Sequence, residues 1–112
     1  MSDSDVKNPE LAIEYMFKYG KKFGEAKGRR IYMEEYRKSL KSMIMKRSLE
    51  TSVNAQEREA YSDPEYIKHL EALQEAVQIE EEIRWGLIAA QARVEVWRSI
   101  EATNRAEGKA TI

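Results

Sequence analysis

The chain has 112 residues, 35% of them charged and 42% hydrophobic, with no cysteine and a formal net charge of −1. That composition suits one helical domain, excludes disulfides and thiolate metal sites, and leaves no apolar run near the ~20 residues of a membrane span. The opening MSDSDVKN is polar and acidic, unlike a secretory leader, so a cytoplasmic protein with no membrane contact is expected.

Asn8, Pro9 and Glu10 form a helix start: Asn caps free amides, Pro has the φ of the first helical position, and Glu favours the positive end of the helix dipole. Apolar residues then recur at a step of seven, at Ala12, Tyr19, Ala26, Met33 and Leu40, with Tyr15, Phe23, Tyr36, Met43 and Ile44 on the intermediate turns. One helix from about residue 9 to about residue 50 is predicted. Residues 51–63, rich in Thr, Ser, Asn and Asp, read as a connector, with Asn54 and Glu57 as a capping box for a short helix near 55–61. Asp63 and Pro64 start a second long helix, with Ser62 and Glu65 as an alternative capping box.

The second helix shows Tyr66, Leu70, Leu73 and Val77, then Ile83, Leu87, Ala90, Val94 and Trp97, two runs offset by a stutter around Glu80, Glu81 and Glu82. In its later half a second apolar face appears at Trp85, Ala89, Ala92 and Val96. Asn104 to Gly108 end the helix, and residues 1–8 and 108–112 read as loose tails of a single domain spanning 1–112. The fold expected is all-α: an antiparallel hairpin of two long helices with a short helical connector. Two helices cannot bury both faces of the second one, so a homo-oligomer is expected, with Trp85, Ala89, Ala92, Val96 and Trp97 at its seam. A stacking role for the two tryptophans is the alternative.

Charge is distributed unevenly. Residues 1–17 sum to −3, residues 18–47 carry eleven basic residues against three acidic ones, and residues 48–112 sum to −6. A +8 segment can attract a polyanion even in a near-neutral chain, because the local field counts only charges within about 8 to 10 Å. Lys18, Lys21, Lys22, Lys27, Arg29, Arg30, Arg37, Lys38 and Lys41 are therefore candidate phosphate contacts. Aromatics are interleaved with them, and single-stranded nucleic acid is held by a cationic track with rings on which bases stack. Tyr19, Phe23 and Tyr32 are the stacking candidates, with a core role for the stripe aromatics Tyr15, Tyr19, Phe23 and Tyr36 as the alternative. Arg93, Arg98 and Arg105 would return beside Lys18 to Lys22 in such a hairpin.

Gly20, Gly24 and Gly28 stand four apart inside the first helix, where each costs about 1 kcal/mol relative to Ala. Their strip admits tight helix packing, close approach of a nucleic-acid backbone, or a local kink. It is no phosphate loop, since three residues rather than four separate the glycines.

Nothing in the sequence sets a nucleophile beside a base. His69 with Glu65 is a helix-surface pair, and Glu80, Glu81 and Glu82 point in different directions as a solvated run, so neither an enzyme nor a metal or cofactor site is expected.

The stretches YGKKFGEAKGRRIYMEEYRKSLKSMIMKR, EREAYSDPEY and AQARVEVWRSIEATNR resemble small helical proteins that phages encode near single-strand annealing and single-strand-binding genes. The layout of basic first helix, polar connector and amphipathic second helix ending in basic residues is similar to the UvsY family of phage recombination mediators. That resemblance implies a DNA-binding oligomer in the cytoplasm of an infected bacterium, helping a recombinase or annealing protein displace single-strand-binding protein from single-stranded DNA. A phage protein-interaction module, inhibiting or adapting a host enzyme through the same basic helix, is the competing expectation.

Overall fold

The computed structural model describes residues 9–110. They form α1 (Glu10–Arg47), α2 (Val53–Ser62) and α3 (Pro64–Ala110), with no strand among the described residues. The helices divide into two compact units: Gly24–Glu81, and the described residues up to Phe23 with those from Glu82 onward.

In the 24–81 unit, the end of α1, the connector and the start of α3 share a core of Leu40, Ile44, Ala60 and Tyr66, with Met45 packed against it. Ala60 is fully buried among these larger side chains, and Tyr61 meets Tyr66 edge-on at 5.4 Å between centroids. Ile44, 2% exposed, is the largest fully buried side chain among the described residues. Ile44→Ala should lower unfolding free energy by about 2 to 5 kcal/mol in a urea titration. A loss below about 1 kcal/mol would mean that this cluster is not the core.

The boundaries differ from the sequence expectation in physical detail. α1 stops at Arg47 rather than near residue 50, and α2 starts two residues earlier than expected. The cap of α2 is Ser52, whose Oγ accepts from the Ala55 amide at 3.1 Å, so Asn54 lies inside the helix and the Asn54/Glu57 box is not its boundary. Asp63 serves two helices: its amide donates to the Ala60 carbonyl at 3.2 Å to close α2, and its Oδ1 accepts from the Glu65 amide at 2.8 Å to open α3 at Pro64. Ser62 instead donates back to the Arg58 carbonyl at 2.8 Å, which removes the Ser62/Glu65 alternative. α3 runs through Gly108 to Ala110, and no described residue has positive φ, so the helix end expected over Asn104 to Gly108 is not made there. The expected cap Asn8 and the tail 1–8 lie outside the described residues, as do positions 111 and 112.

Along α3 the residues at steps of three and four, namely Tyr66, His69, Leu73, Ala76, Glu80, Ile83, Leu87, Ala90, Val94, Trp97 and Glu101, are all buried or half-buried. The heptad therefore runs unbroken through the acidic run, with Glu80 at a seam position, and the stutter is absent. Leu70 and Val77, which made the pattern look offset, are exposed. On α1 the matching row is Ala12, Met16, Tyr19, Phe23, Ala26, Arg30, Met33, Leu40 and Ile44, all buried or half-buried, while Arg37 on the same step is exposed.

In the other unit, Ala12 and Ala90 are buried, and Tyr15 lies over Gly86, where an added Cβ would fall on the Tyr15 hydroxyl. The glycine that permits a close approach is thus Gly86, whereas a Cβ at Gly20, Gly24 or Gly28 would meet nothing within 4 Å. The helix-packing reading of the glycine row has no counterpart among the described residues. With Tyr15 over Gly86 in an antiparallel pair, Glu10 stands near the level of residue 91, so Arg98 and Arg105 lie about 10 Å or more beyond the start of α1 rather than beside Lys18 to Lys22.

Candidate nucleic-acid interface

The seven-residue stripe turns one side of α1 inward, so the residues between its steps point outward. Most of the predicted cations fall there: Lys18, Lys21, Lys22, Lys27, Arg29 and Lys38 are exposed, and so is Arg37 although it stands on the step of the stripe.

Ion pairing divides the set. Lys38 meets Glu35 one turn away at 3.1 Å, with both groups well exposed, a pair that contributes little and leaves the ammonium accessible. Among the described residues Lys18, Lys21, Lys22, Lys27, Arg29, Arg37 and Lys46 make no ion pair with a carboxylate.

Arg30 and Lys41 differ. Arg30 grips Glu80 with two bonds, Nε donating to Oε2 at 2.6 Å and Nη2 to Oε1 at 3.0 Å, while Nη1 donates to Glu34 at 3.1 Å. This fork-to-fork geometry explains how a carboxylate can occupy a buried position of the α3 seam. The hydrogen bonds that Arg30 donates to Glu80 hold the guanidinium pKa above its ordinary value, over the opposing effect of burial. Arg30 is therefore a structural residue of the seam, and not the open phosphate contact its sequence position suggested. Glu80 likewise departs from the solvated run expected of the three glutamates.

Lys41 is half-buried, 3.4 Å from Glu57 and 4.7 Å from the centre of the Tyr61 ring. Tyr61 first, then the charge of Glu57, raises its pKa. Arg47, at 2.8 Å from Glu65 and 3.8 Å from Asp63, is raised chiefly by the Glu65 bond. Both pairs tie the end of α1 to the connector and the start of α3.

The predicted stacking residues also separate. Tyr19 is half-buried against Tyr15, with ring centres 4.3 Å apart and planes 25° apart, and Lys18 and Lys22 stand 5.5 and 5.0 Å from its ring centre. Phe23 is half-buried on the seam row. Tyr32 is 67% exposed and retains an accessible ring, offset-stacked on Tyr36 at 6.0 Å. Phe17, absent from the predicted set, is 83% exposed among Lys18, Lys21 and Lys22 in sequence. Its place between the steps of the seven-residue stripe was the available signal.

On α3, Trp85, Ala89, Ala92 and Val96 are exposed and Trp97 is half-buried. Ile88 and Ile100 extend the same exposed apolar strip, and the Arg84 guanidinium carbon stands 5.0 Å from the Trp85 ring centre. No group of three or more His, Cys, Asp or Glu side chains able to hold a metal occurs among the described residues, and none of their helices is long and apolar enough to cross a membrane. The chain matches no protein-family model, no curated protein and no solved structure.

Proposed function

We propose that this chain is a non-enzymatic, single-stranded DNA-binding accessory factor of phage homologous recombination, working without cofactor or metal. The observation that supports it is the exposure of Lys18, Lys21, Lys22, Lys27, Arg29 and Arg37 with no carboxylate partner among the described residues. Had the acidic α3 neutralised these cations, the +8 of the segment would have had no outward field. The resemblance to phage recombination mediators supplies the setting: a recombinase, annealing protein or single-strand-binding protein as protein partner, in the cytoplasm of an infected bacterium. Fluorescence anisotropy with a labelled single-stranded oligonucleotide tests the reading. Binding that weakens steeply as salt rises is expected, and no binding at low salt refutes it.

The protein acts as a homo-oligomer in this proposal. Trp85, Ile88, Val96 and Ile100 form a row of large apolar side chains left open on one face of α3, and a second copy is the occupant that would dry them. Sedimentation at micromolar concentration should return a mass above that of one chain, and Trp85→Glu with Val96→Glu should return it to monomer without loss of helicity. A wild-type protein that sediments only as monomer contradicts the assembly.

The exposure of Phe17, with three lysines close by in sequence, also favours a second reading, docking on an acidic surface of a host enzyme, since an exposed aromatic anchor on a cationic helix is a protein-binding arrangement as well. It is distinguished by a wild-type protein that captures a protein partner yet fails to bind the oligonucleotide.

A further inference from the structure

The 24–81 unit contains a groove of about 410 Å³ lined by Arg29, Tyr32, Met33, Tyr36 and His69. Its floor is a ladder of rings fixed from below. His69 of α3 donates its Nε2–H to the Met33 carbonyl of α1 at 2.7 Å, which locks the imidazole in place. Tyr36 leans on that ring at 5.4 Å and 54°, and Tyr32 lies nearly parallel to Tyr36, at 15°. Each ring is thus held by the one beneath it, and the outermost, Tyr32, keeps most of its surface in solvent. Arg29 stands one turn before Tyr32, exposed and without an ion partner among the described residues.

A rigid ring with open surface in water, backed by further rings and edged by an uncommitted guanidinium, matches the demands of one planar, apolar-faced group that carries a negative charge on a short tether. An unstacked nucleobase with its phosphate has that chemistry. A lone pair of surface tyrosines would have to be ordered on binding, whereas here the His69 hydrogen bond holds the ladder before any ligand arrives. Neither Tyr36 nor His69 was legible as part of such a site, because the ladder depends on which α3 residue faces Met33.

We infer that this groove takes a single nucleobase of a bound strand, stacked on Tyr32, with the adjoining phosphate on Arg29. The inference rests on the single-stranded DNA reading and assigns the base-contacting position within it. Tyr32 supplies stacking and no charge, while Arg29 supplies charge, so their losses have different signatures.

The test uses the full-length chain and an oligonucleotide carrying 2-aminopurine, whose fluorescence falls when it stacks. The wild type should quench the probe on binding. Tyr32→Ala should bind about 5- to 150-fold more weakly, with the quenching lost and the salt slope unchanged, and Tyr32→Phe should restore both affinity and quenching. Arg29→Ala should instead flatten the log-log salt slope by about 0.7 while leaving the quenching of the bound probe intact. Circular dichroism verifies that each variant keeps its helicity. A wild type that binds while Tyr32→Ala binds equally well overturns the groove and spares the DNA reading; a wild type that binds no strand overturns both. A free mononucleotide that shifts the His69 ring protons at the same concentration as the strand would make the groove a nucleotide pocket, and would overturn its assignment as a strand position.

Discussion

Replacing Lys27, Arg29 and Arg37 together by glutamate should weaken single-stranded DNA binding by at least about a hundredfold near 0.1 M salt. Each phosphate neutralised on a single strand contributes about 0.7 to the log-log salt slope, which at 0.1 M corresponds to about fivefold in affinity. Three lost contacts therefore give about a hundredfold from counterion release alone, before the repulsion of three new carboxylates is added. The fold should survive, because all three residues are exposed and none makes an ion pair among the described residues. The parallel set Lys18→Glu, Lys21→Glu and Lys22→Glu tests the cations of the other unit, and should also displace the ammonium groups that stand over Tyr19. Anisotropy measures both. A triple variant that binds like wild type would remove these cations from the interface.

The second large effect is on stability and belongs to Arg30. Arg30→Ala removes the two charge-assisted bonds that Glu80 accepts at a buried seam position, and that loss exceeds the cost of losing any open lysine of α1. The thermal midpoint of Arg30→Ala should fall well below that of Lys21→Ala or Lys27→Ala, measured side by side by circular dichroism. Replacing both partners, Arg30→Met with Glu80→Leu, should recover most or all of the loss, because an apolar pair fits a heptad seam without desolvating charge. The same variants separate structure from binding. Arg30→Ala should leave the salt slope for DNA unchanged provided that the measurement is made below its lowered midpoint, since its guanidinium is already engaged. An Arg30→Ala protein as stable as wild type, with a flattened salt slope, would return Arg30 to the phosphate contacts and remove it from the seam.

These two residues show where sequence reasoning succeeded and where it stopped. The seven-residue recurrence from Ala12 to Leu40 and the Asp63–Pro64 start of α3 were legible, because apolar spacing and helix-start chemistry are local properties of the chain. Glu80 was not legible as a seam residue, because a carboxylate counts as polar in any periodicity until its partner fifty positions away is known. With a histidine and a glutamate at two of the seam positions, Leu70 and Val77 are the larger apolar side chains nearby, and a stripe drawn through them is offset from the one that begins at Ile83. The cap of α2 was misplaced for a different reason: Ser52 and Asn54 are near-equal capping residues, and only the backbone selects between them. Gly86 escaped notice beside the conspicuous row at Gly20, Gly24 and Gly28, since nothing in the sequence says that Tyr15 lies over it. For the candidate site the charge count was fully legible, but the division of those cations between open and paired depends on the side chains that α2 and α3 bring to α1.

The salt dependence of binding to single-stranded DNA tests the central claim most directly. If the open cations of α1 hold phosphates, a plot of log affinity against log salt should fall with a slope of about −3 or steeper, as four or more single-strand phosphate contacts require. A slope near zero, or no measurable binding at the lowest salt, would contradict the claim.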